Sequence, residues 1–300
     1  MQALQFSAYG GPEVLTWGEA PEPHAGPGQI RIAVRAASVN PIDWKTFSGA
    51  VSGGAPLAGT GYLGYDAAGV VDEVGDGVEG VAVGDDVLGL GSSTQTEYAV
   101  LRAWADKPAS LDWTTAAAAG VAGETSERGL RLLDVKAGDT VFIDGGAGGV
   151  GAIAVQMAVV RGATVIASSS AGNHDYLREI GATPVGYGAG VADRVRAAAD
   201  GPVDAVFDVA GKARIADLIS LVSEPSRVLS IANFDAGEAG ARVTGGGADG
   251  QPMQALSEVA DLLADNKLVI KVQTFPFERA ADAYRISQGG HVRGKLVLIP

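Results

Sequence analysis

The stretch Thr140–Ala158, TVFIDGGAGGVGAIAVQMA, decides the architecture. Its opening run, Thr140–Asp144, is apolar and short enough for a buried strand, and Gly149–Gly162 reads as a helix that is apolar on nearly every side. Between them lies DGGAGGVG, Asp144–Gly151, where Gly146, Gly148 and Gly151 satisfy G-x-G-x-x-G. Alone the pattern is weak; placed directly after a strand and before a helix, it reads as a dinucleotide turn. In that reading Gly146 allows the tight turn, Gly148 lets backbone approach a diphosphate, and Gly151 lets the helix lie on the strand. The N–H groups of Gly149 and Val150 then face the phosphates at a positive helix end, each contact contributing about 0.3–1 kcal/mol.

Downstream, strand and helix patterns alternate: strand Thr164–Ala167, helix Asn173–Gly181, strand Thr183–Tyr187, helix Val191–Ala199, strand Asp204–Asp208, helix Ala213–Val222 and strand Arg227–Ile231. Such alternation implies a parallel sheet with helices on both faces, doubly wound by right-handed crossovers. Upstream, to about residue 113, the texture is different. Gln29–Val39, Ala67–Val74 and Asp86–Leu90 read as strands separated by Gly- and Pro-rich turns, the pattern of a small β-barrel with no long helical stretch. From about Asp265 the β texture returns and ends on the alternating run Lys295–Ile299. We therefore expect an α/β chain of two domains, a discontinuous β-domain over 1–113 and 265–300 and a dinucleotide domain over 114–264.

Composition narrows the function. The chain of 300 residues holds 44 glycines, about twice the usual share, and enough apolar residues for a packed core in each domain. Its formal charge of −13 offers no basic face for nucleic acid. With no cysteine and only three histidines (His24, His174 and His291, far apart), Cys-based zinc sites and HExxH-type sites are excluded and no metal is expected. No apolar run approaches a membrane span, and the start MQALQFSAYG lacks a signal-peptide pattern. The expectation is a soluble, cytoplasmic protein.

The end of the second strand decides which dinucleotide binds. An acid there would mark NAD, whereas this chain reads Ala167-Ser168-Ser169-Ser170-Ala171-Gly172-Asn173. Small hydroxyl and amide groups, Ser168 and Ser169 among them, leave room for a 2′-phosphate and favour NADPH. Asn173 has two readings, a ligand contact and the N-cap of the helix HDYLREIG.

These features also carry a family resemblance. SVNPIDWK (Ser38–Lys45), GYDAAGVVDEVGDGVEGVAVGDDVLG (Gly64–Gly89), AGGVGAIAVQMA (Ala147–Ala158), NHDYLREIGA (Asn173–Ala182) and HVRGKLVL (His291–Leu298) occur in the order seen in zinc-free medium-chain dehydrogenases/reductases. The chain resembles their quinone oxidoreductase-like branch over almost its whole length. The resemblance implies a GroES-like β-domain built from both chain ends beside a Rossmann domain, an active site in the cleft between them, and a homodimer. We expect the dimer to pair through an edge strand at Ala241–Thr244. In zinc-dependent relatives a Cys and a Gly-His-Glu triplet bind metal; here Asn40 stands for that Cys and Gly64-Tyr65-Asp66 for the triplet, and the four-Cys zinc lobe is missing. Two further departures are Gly172, where many relatives have Arg or Lys, and Thr125-Ser126-Glu127, where they have Thr-Ala-aromatic.

Without a metal to hold the charge that a hydride puts on the acceptor oxygen, the acceptor must delocalise it or hydrogen-bond donors must hold it. Quinones and α,β-unsaturated carbonyls meet that condition and simple ketones do not. The candidate donors are Asn40, Tyr65 and, in the same loop, Tyr62. Asn40 before Pro41 is also a turn former, and Tyr65 could equally be a structural tyrosine with a backbone partner. The resemblance places Thr125 near the cofactor, with helix capping as the rival reading. It places Tyr187 against the adenosine, with a core role as the rival, and leaves Lys295 either neutralising a cofactor phosphate or flanking an edge strand. Phe207, Val209, Ala210, Ile231, Ala232, Asn233 and Phe234 fall at or just beyond the ends of strands four and five, where doubly wound sheets bind ligands. The expected activity is NADPH-dependent reduction of a quinone or enone. The alternatives are an enoyl-thioester reductase and a cofactor-binding redox sensor with little catalysis.

Overall fold

The structure is a computed structural model describing residues 1–245, 249–290 and 292–300; His291 lies outside the described residues. It divides into two compact units, one of Met1–Val121, Pro252–Asn266 and Ile270–Pro300, the other of Ala122–Gln251 and Lys267–Val269.

The first unit begins with β1 (Gln2–Phe6), β2 (Thr16–Glu19) and the long β3 (Ile30–Val39). A short helix α1 (Pro41–Phe47) follows, then β4 (Gly61–Tyr62), β5 (Asp66–Val74), β6 (Asp86–Ser92) and β7 (Tyr98–Asp106). Strands β3, β5, β6 and β7 pair in that order, and β7 pairs back onto β3, so the sheet closes on itself. The β3–β7 pairing covers an edge that these four strands would otherwise expose. Inside lie Ile30, Ile32, Val71, Val87 and Leu101, all fully buried. This is the GroES-like barrel expected from the sequence. The helix α1 was not expected, because Asn-Pro-x-Asp read as a loop. Pro41 sits at the first helical position, where its missing N–H costs nothing, and the Asp43 carboxylate accepts the Asn40 N–H at 2.7 Å.

A helix α2 (Trp113–Leu132) leads into the second unit: β8 (Thr140–Asp144), α3 (Gly149–Val160), β9 (Thr164–Ser169), α4 (His174–Glu179), β10 (Ala182–Gly186), α5 (Val191–Ala198), β11 (Ala205–Asp208), α6 (Ile215–Ile219), β12 (Val228–Ser230) and β13 (Arg242–Val243). The strands form one parallel sheet in the order β10-β9-β8-β11-β12-β13. The order reverses between β8 and β11, and doubly wound sheets bind ligands beside the carboxyl ends of strands at such a switch point. Helix α3 is buried from Gly151 to Ala158, which explains why its sequence shows no polar face.

The chain then returns to the first unit with α7 (Pro252–Ala264), β14 (Val272–Pro276), α8 (Ala280–Gln288) and β15 (Lys295–Ile299), with β15 pairing beside β3. The tail therefore carries a helix that its β texture did not announce. Helix α8 drives Tyr284 into the barrel core, edge-on to Phe47 at 5.1 Å between ring centroids.

Candidate functional site

In the second unit the site is built on the turn between β8 and α3. The left-handed residue is Gly145, at φ +93°, so the turn falls one position before the Gly146 expected from the motif. Gly146 is instead required by packing: a Cβ there would lie 2.6 Å from the Ala167 methyl. Gly151 is required more strictly, because its Cβ would stand 2.2 Å from the Gly145 carbonyl oxygen. Gly148 differs from both. It has ordinary φ at −77°, and a Cβ would meet nothing nearer than that same oxygen at 3.6 Å. Among the described residues nothing packs against position 148, and the space beside it is open. Gly149, Val150 and Gly151 open α3 with N–H groups that have no carbonyl one turn earlier. A diphosphate, an anion at a positive helix end, fits that cradle.

Under the turn a set of buried polar groups fixes its shape. Ser168 donates its hydroxyl to Asp144 and accepts the Gly145 N–H at 2.9 Å. Its side chain is fully buried, so Ser168 braces the turn and has no surface to offer a ribose. Burial, and then the neighbouring Asp208 carboxylate, push Asp144 up to about 6 against the opposing Ser168 hydrogen bond. Asp208, opposite Asp144 in the ladder, accepts N–H groups of Ala210 and Gly211 and the Ser230 hydroxyl. Ser230 in turn accepts the N–H groups of Ala232 and Asn233, and Ile231 N–H goes to the Asp208 carbonyl. Ala210, Ile231, Ala232 and Asn233 therefore stand together, half-buried, at the ends of β11 and β12. Their backbone donors are committed internally, and carbonyls and side chains are what they can present. Beside them Phe234 is exposed while Phe207 is fully buried in the core. Sequence reasoning missed Asp144, Asp208 and Ser230 as braces; the signal was an aspartate closing each of two otherwise apolar strands, TVFID and AVFD.

Ser169, which ends β9, is buried as well. Ser169 donates to the Ser170 carbonyl. Asn173 occupies the N-cap position of α4 but makes no capping bond with its side chain, which reaches Ser170 Oγ at 3.4 Å. Tyr187, just beyond β10, is 55% exposed, which removes its reading as a core residue. Thr125 lies inside α2, buried beside the Glu124–Arg128 ion pair, and caps no helix. Its neighbour Ser126 reaches the Val150 carbonyl at 2.9 Å and so braces the first turn of α3.

In the first unit, Asn40, Tyr62 and Tyr65 have different surroundings. Asn40 is buried, its amide donating to Asp66 at 2.7 Å and to Ser38 at 3.2 Å while its oxygen accepts from Lys295 Nζ at 2.6 Å. Both ends of the amide are thus committed inside the unit. Lys295 is itself buried and also reaches the Val39 carbonyl, so neither surface reading of it describes this structure. Burial lowers its pKa, with Asp66 and Asp43 opposing. Asp66 completes the set by accepting from Ser38 and from the Val121 N–H, each at 2.7 Å. Tyr62 and Tyr65 are half-buried, and neither hydroxyl has a hydrogen-bond partner among the described residues. Of the three expected donors, these two keep a free O–H.

For a metal the donor set is poor. The chain has no cysteine, and no group of three or more His, Asp or Glu side chains is placed to hold an ion among the described residues. His24 pairs with Glu73 at the surface and His174 opens α4.

Comparison with known proteins assigns the chain. Residues 26–111 match the alcohol dehydrogenase GroES-like domain and residues 180–298 the family described as zinc-binding dehydrogenase. These two domains, on this fold, define a medium-chain dehydrogenase/reductase. A quinone oxidoreductase from Coxiella burnetii shares 32% identity and a TM-score of 0.86, over 100% of this chain and 99% of that one. The chain belongs to the quinone oxidoreductase-like branch of that superfamily. A mycobacterial structure complexed with NADPH is 26% identical with a TM-score of 0.86, each chain covered over 100%. The NADPH-dependent alkenal/one oxidoreductase of Arabidopsis thaliana chloroplasts is 28% identical over 100% of this chain and 80% of its own length.

Proposed function

We propose that the chain is an NADPH-dependent oxidoreductase that passes a hydride to a quinone or to the activated C=C bond of an enone or enal, with no metal taking part. The observation that carries the reading is the cradle at Gly148, a helix end whose first N–H groups have no carbonyl one turn earlier and where a Cβ at 148 would meet nothing nearer than 3.6 Å, which leaves room for a diphosphate. A relative that reduces alkenals and a neighbour that holds NADPH support the same reading. When bound, the cofactor supplies the hydride. The protein's part is to hold and to polarise. Gly146, Gly148, Gly149 and Val150 take the diphosphate; Asn173 and Tyr187 take the adenosine side; Ala210, Ile231, Ala232 and Asn233 line the nicotinamide. Tyr65, with Tyr62 beside it in sequence, offers a hydroxyl to the acceptor oxygen, and Asn40 with Lys295 keeps that loop in place.

The test follows loss of the reduced-nicotinamide absorbance with a panel of quinones, alkenals, enones, an enoyl thioester and simple ketones, before and after EDTA treatment. Turnover of quinones or enones that survives EDTA is expected. Turnover confined to the thioester would move the assignment to an enoyl-thioester reductase. Tight NADPH binding with no turnover would make it a sensor. We further propose a soluble cytoplasmic homodimer pairing through β13, the exposed edge of the parallel sheet.

A further inference from the structure

Arg194, on α5, ends every one of its hydrogen bonds on a backbone carbonyl. Nε donates to Gly186 at 2.8 Å, Nη1 to Ala189 at 2.9 Å, and Nη2 to Tyr187 at 3.1 Å and Gly188 at 3.2 Å. Four of the five guanidinium N–H groups are thereby spent on neutral acceptors. No carboxylate pairs with Arg194 among the described residues, so no ion pair neutralises its charge. By contrast Arg196, on the same helix, pairs with Asp193 at 3.0 Å.

The position of that charge gives it a use. The carbonyls it grips belong to the turn after β10, and Gly186 stands in register beside Ser169 of β9, one strand spacing away at about 5 Å. Ser169 opens the segment up to Asn173, the place where a doubly wound sheet reads the adenosine ribose. That segment contains neither an acid nor a basic residue before Asn173. On the same turn Tyr187 turns an exposed ring outward.

We propose that Arg194 is the residue by which this chain prefers NADPH to NADH, its fixed positive charge beneath the Gly186–Gly190 turn attracting the 2′-phosphate held at Ser170–Asn173. The proposal rests on the cofactor reading above. Because its fork is already committed, Arg194 acts as a charge and not as a bidentate clamp. A cofactor phosphate near charge −2 facing a half-exposed cation gains about a fivefold affinity at low salt, and less as salt rises.

The experiment measures dissociation constants for NADPH and NADH by fluorescence titration, without acceptor, for the wild type, Arg194→Gln, Arg194→Lys and the control Arg196→Gln. Arg194→Gln is expected to weaken NADPH about fivefold and to leave NADH unchanged, with Arg196→Gln matching the wild type. Arg194→Lys keeps the charge while losing the four-carbonyl grip, so it should keep the preference. Equal weakening of both cofactors in Arg194→Gln, or loss of the preference in Arg194→Lys, would mean that the residue only shapes the turn and would overturn the inference. A wild type that binds neither cofactor would instead overturn the reading of the site on which the inference stands.

Discussion

Asp43 should make this protein less stable as pH rises through neutrality, and Asp43→Asn should remove the effect. The carboxyl is fully buried. One oxygen accepts the Asn40 N–H at 2.7 Å and the Gln95 amide at 3.4 Å; the other, Oδ1, has no hydrogen-bond partner among the described residues. Burial is the main reason its pKa rises from 3.8 to about 7, with Asp66 adding to the rise and the Asn40 N–H, Lys295 and the Tyr284 hydroxyl opposing it. A folded pKa above the unfolded one means that the native state binds more protons between about pH 4 and pH 7. Stability from this group is therefore present at low pH and is lost as pH climbs to 7. Three units at about 1.4 kcal/mol each set a ceiling of about 4 kcal/mol. In Asp43→Asn the side-chain oxygen still accepts the Asn40 N–H, while the exchange of a charged acceptor for a neutral one costs about 1 kcal/mol. The variant should thus gain about 3 kcal/mol on the wild type at pH 8 and less than about 1 kcal/mol at pH 5. Urea unfolding of both proteins at pH 5, 6, 7 and 8 reads that difference directly. Taking the difference removes the contribution of other titrating groups, except the share of Lys295 that is coupled to Asp43. A gap that stays constant across the four pH values, or one that favours the wild type at pH 8, would refute the reasoning.

Gly148→Ala should change stability by no more than about 1 kcal/mol yet weaken NADPH at least about tenfold, because the methyl enters the diphosphate's space; calorimetric melting and titration separate the two. Gly151→Ala should instead cost about 3 kcal/mol or more, seen as a large fall in Tm. Lys295→Met should destabilise by about 3–5 kcal/mol by stranding the Asp66 charge, whereas a lysine that served a cofactor phosphate would leave Tm unchanged and weaken NADPH. Tyr65→Phe should lower kcat for an enone about tenfold to a hundredfold with the NADPH dissociation constant unchanged, a split that a structural tyrosine would not produce.

How far the sequence reached differs between the two units. The parallel sheet was legible because its strands β8 to β12 are short, mostly apolar runs, and the elbow because glycine spacing there is dictated by contacts of two or three residues. Local chemistry misled only by one position, since Gly145 and Gly146 are indistinguishable until the packing of Ala167 against the second is known. The roles of Asn40, Ser168 and Lys295 were not legible. Each depends on a partner far along the chain: Lys295 meets Asn40 across 255 residues, and Asn40 meets Asp66 across 26. A hydroxyl or amine in a sequence looks the same whether it faces water or a buried carboxylate. Helix α1 could have been read, since Pro41 at its first position with Asp43 two residues later is an N-terminal signature.

The resemblance places zinc ligands of related enzymes at positions 40, 65 and 66, and what this chain does with those positions bears on its chemistry. Asn40 and Asp66 bond to each other, and Asp66 also takes Ser38 and the Val121 N–H. The amide is held from its other side by Lys295. Two of the three positions have thus been turned inward into a satisfied buried network, which is stable only when every member is paired. Recruiting either one to a ligand would strand a buried charge or amide at a cost of several kcal/mol. Only position 65 keeps a free group, a phenol that donates a hydrogen bond and cannot match the charge of a divalent ion. One such donor would offer about 2.7–4 kcal/mol to a developing oxyanion, help that suits an acceptor able to spread the charge over its own conjugated system. The proposed preference for quinones and enones therefore follows from where the hydrogen bonds of Asn40 and Asp66 have gone.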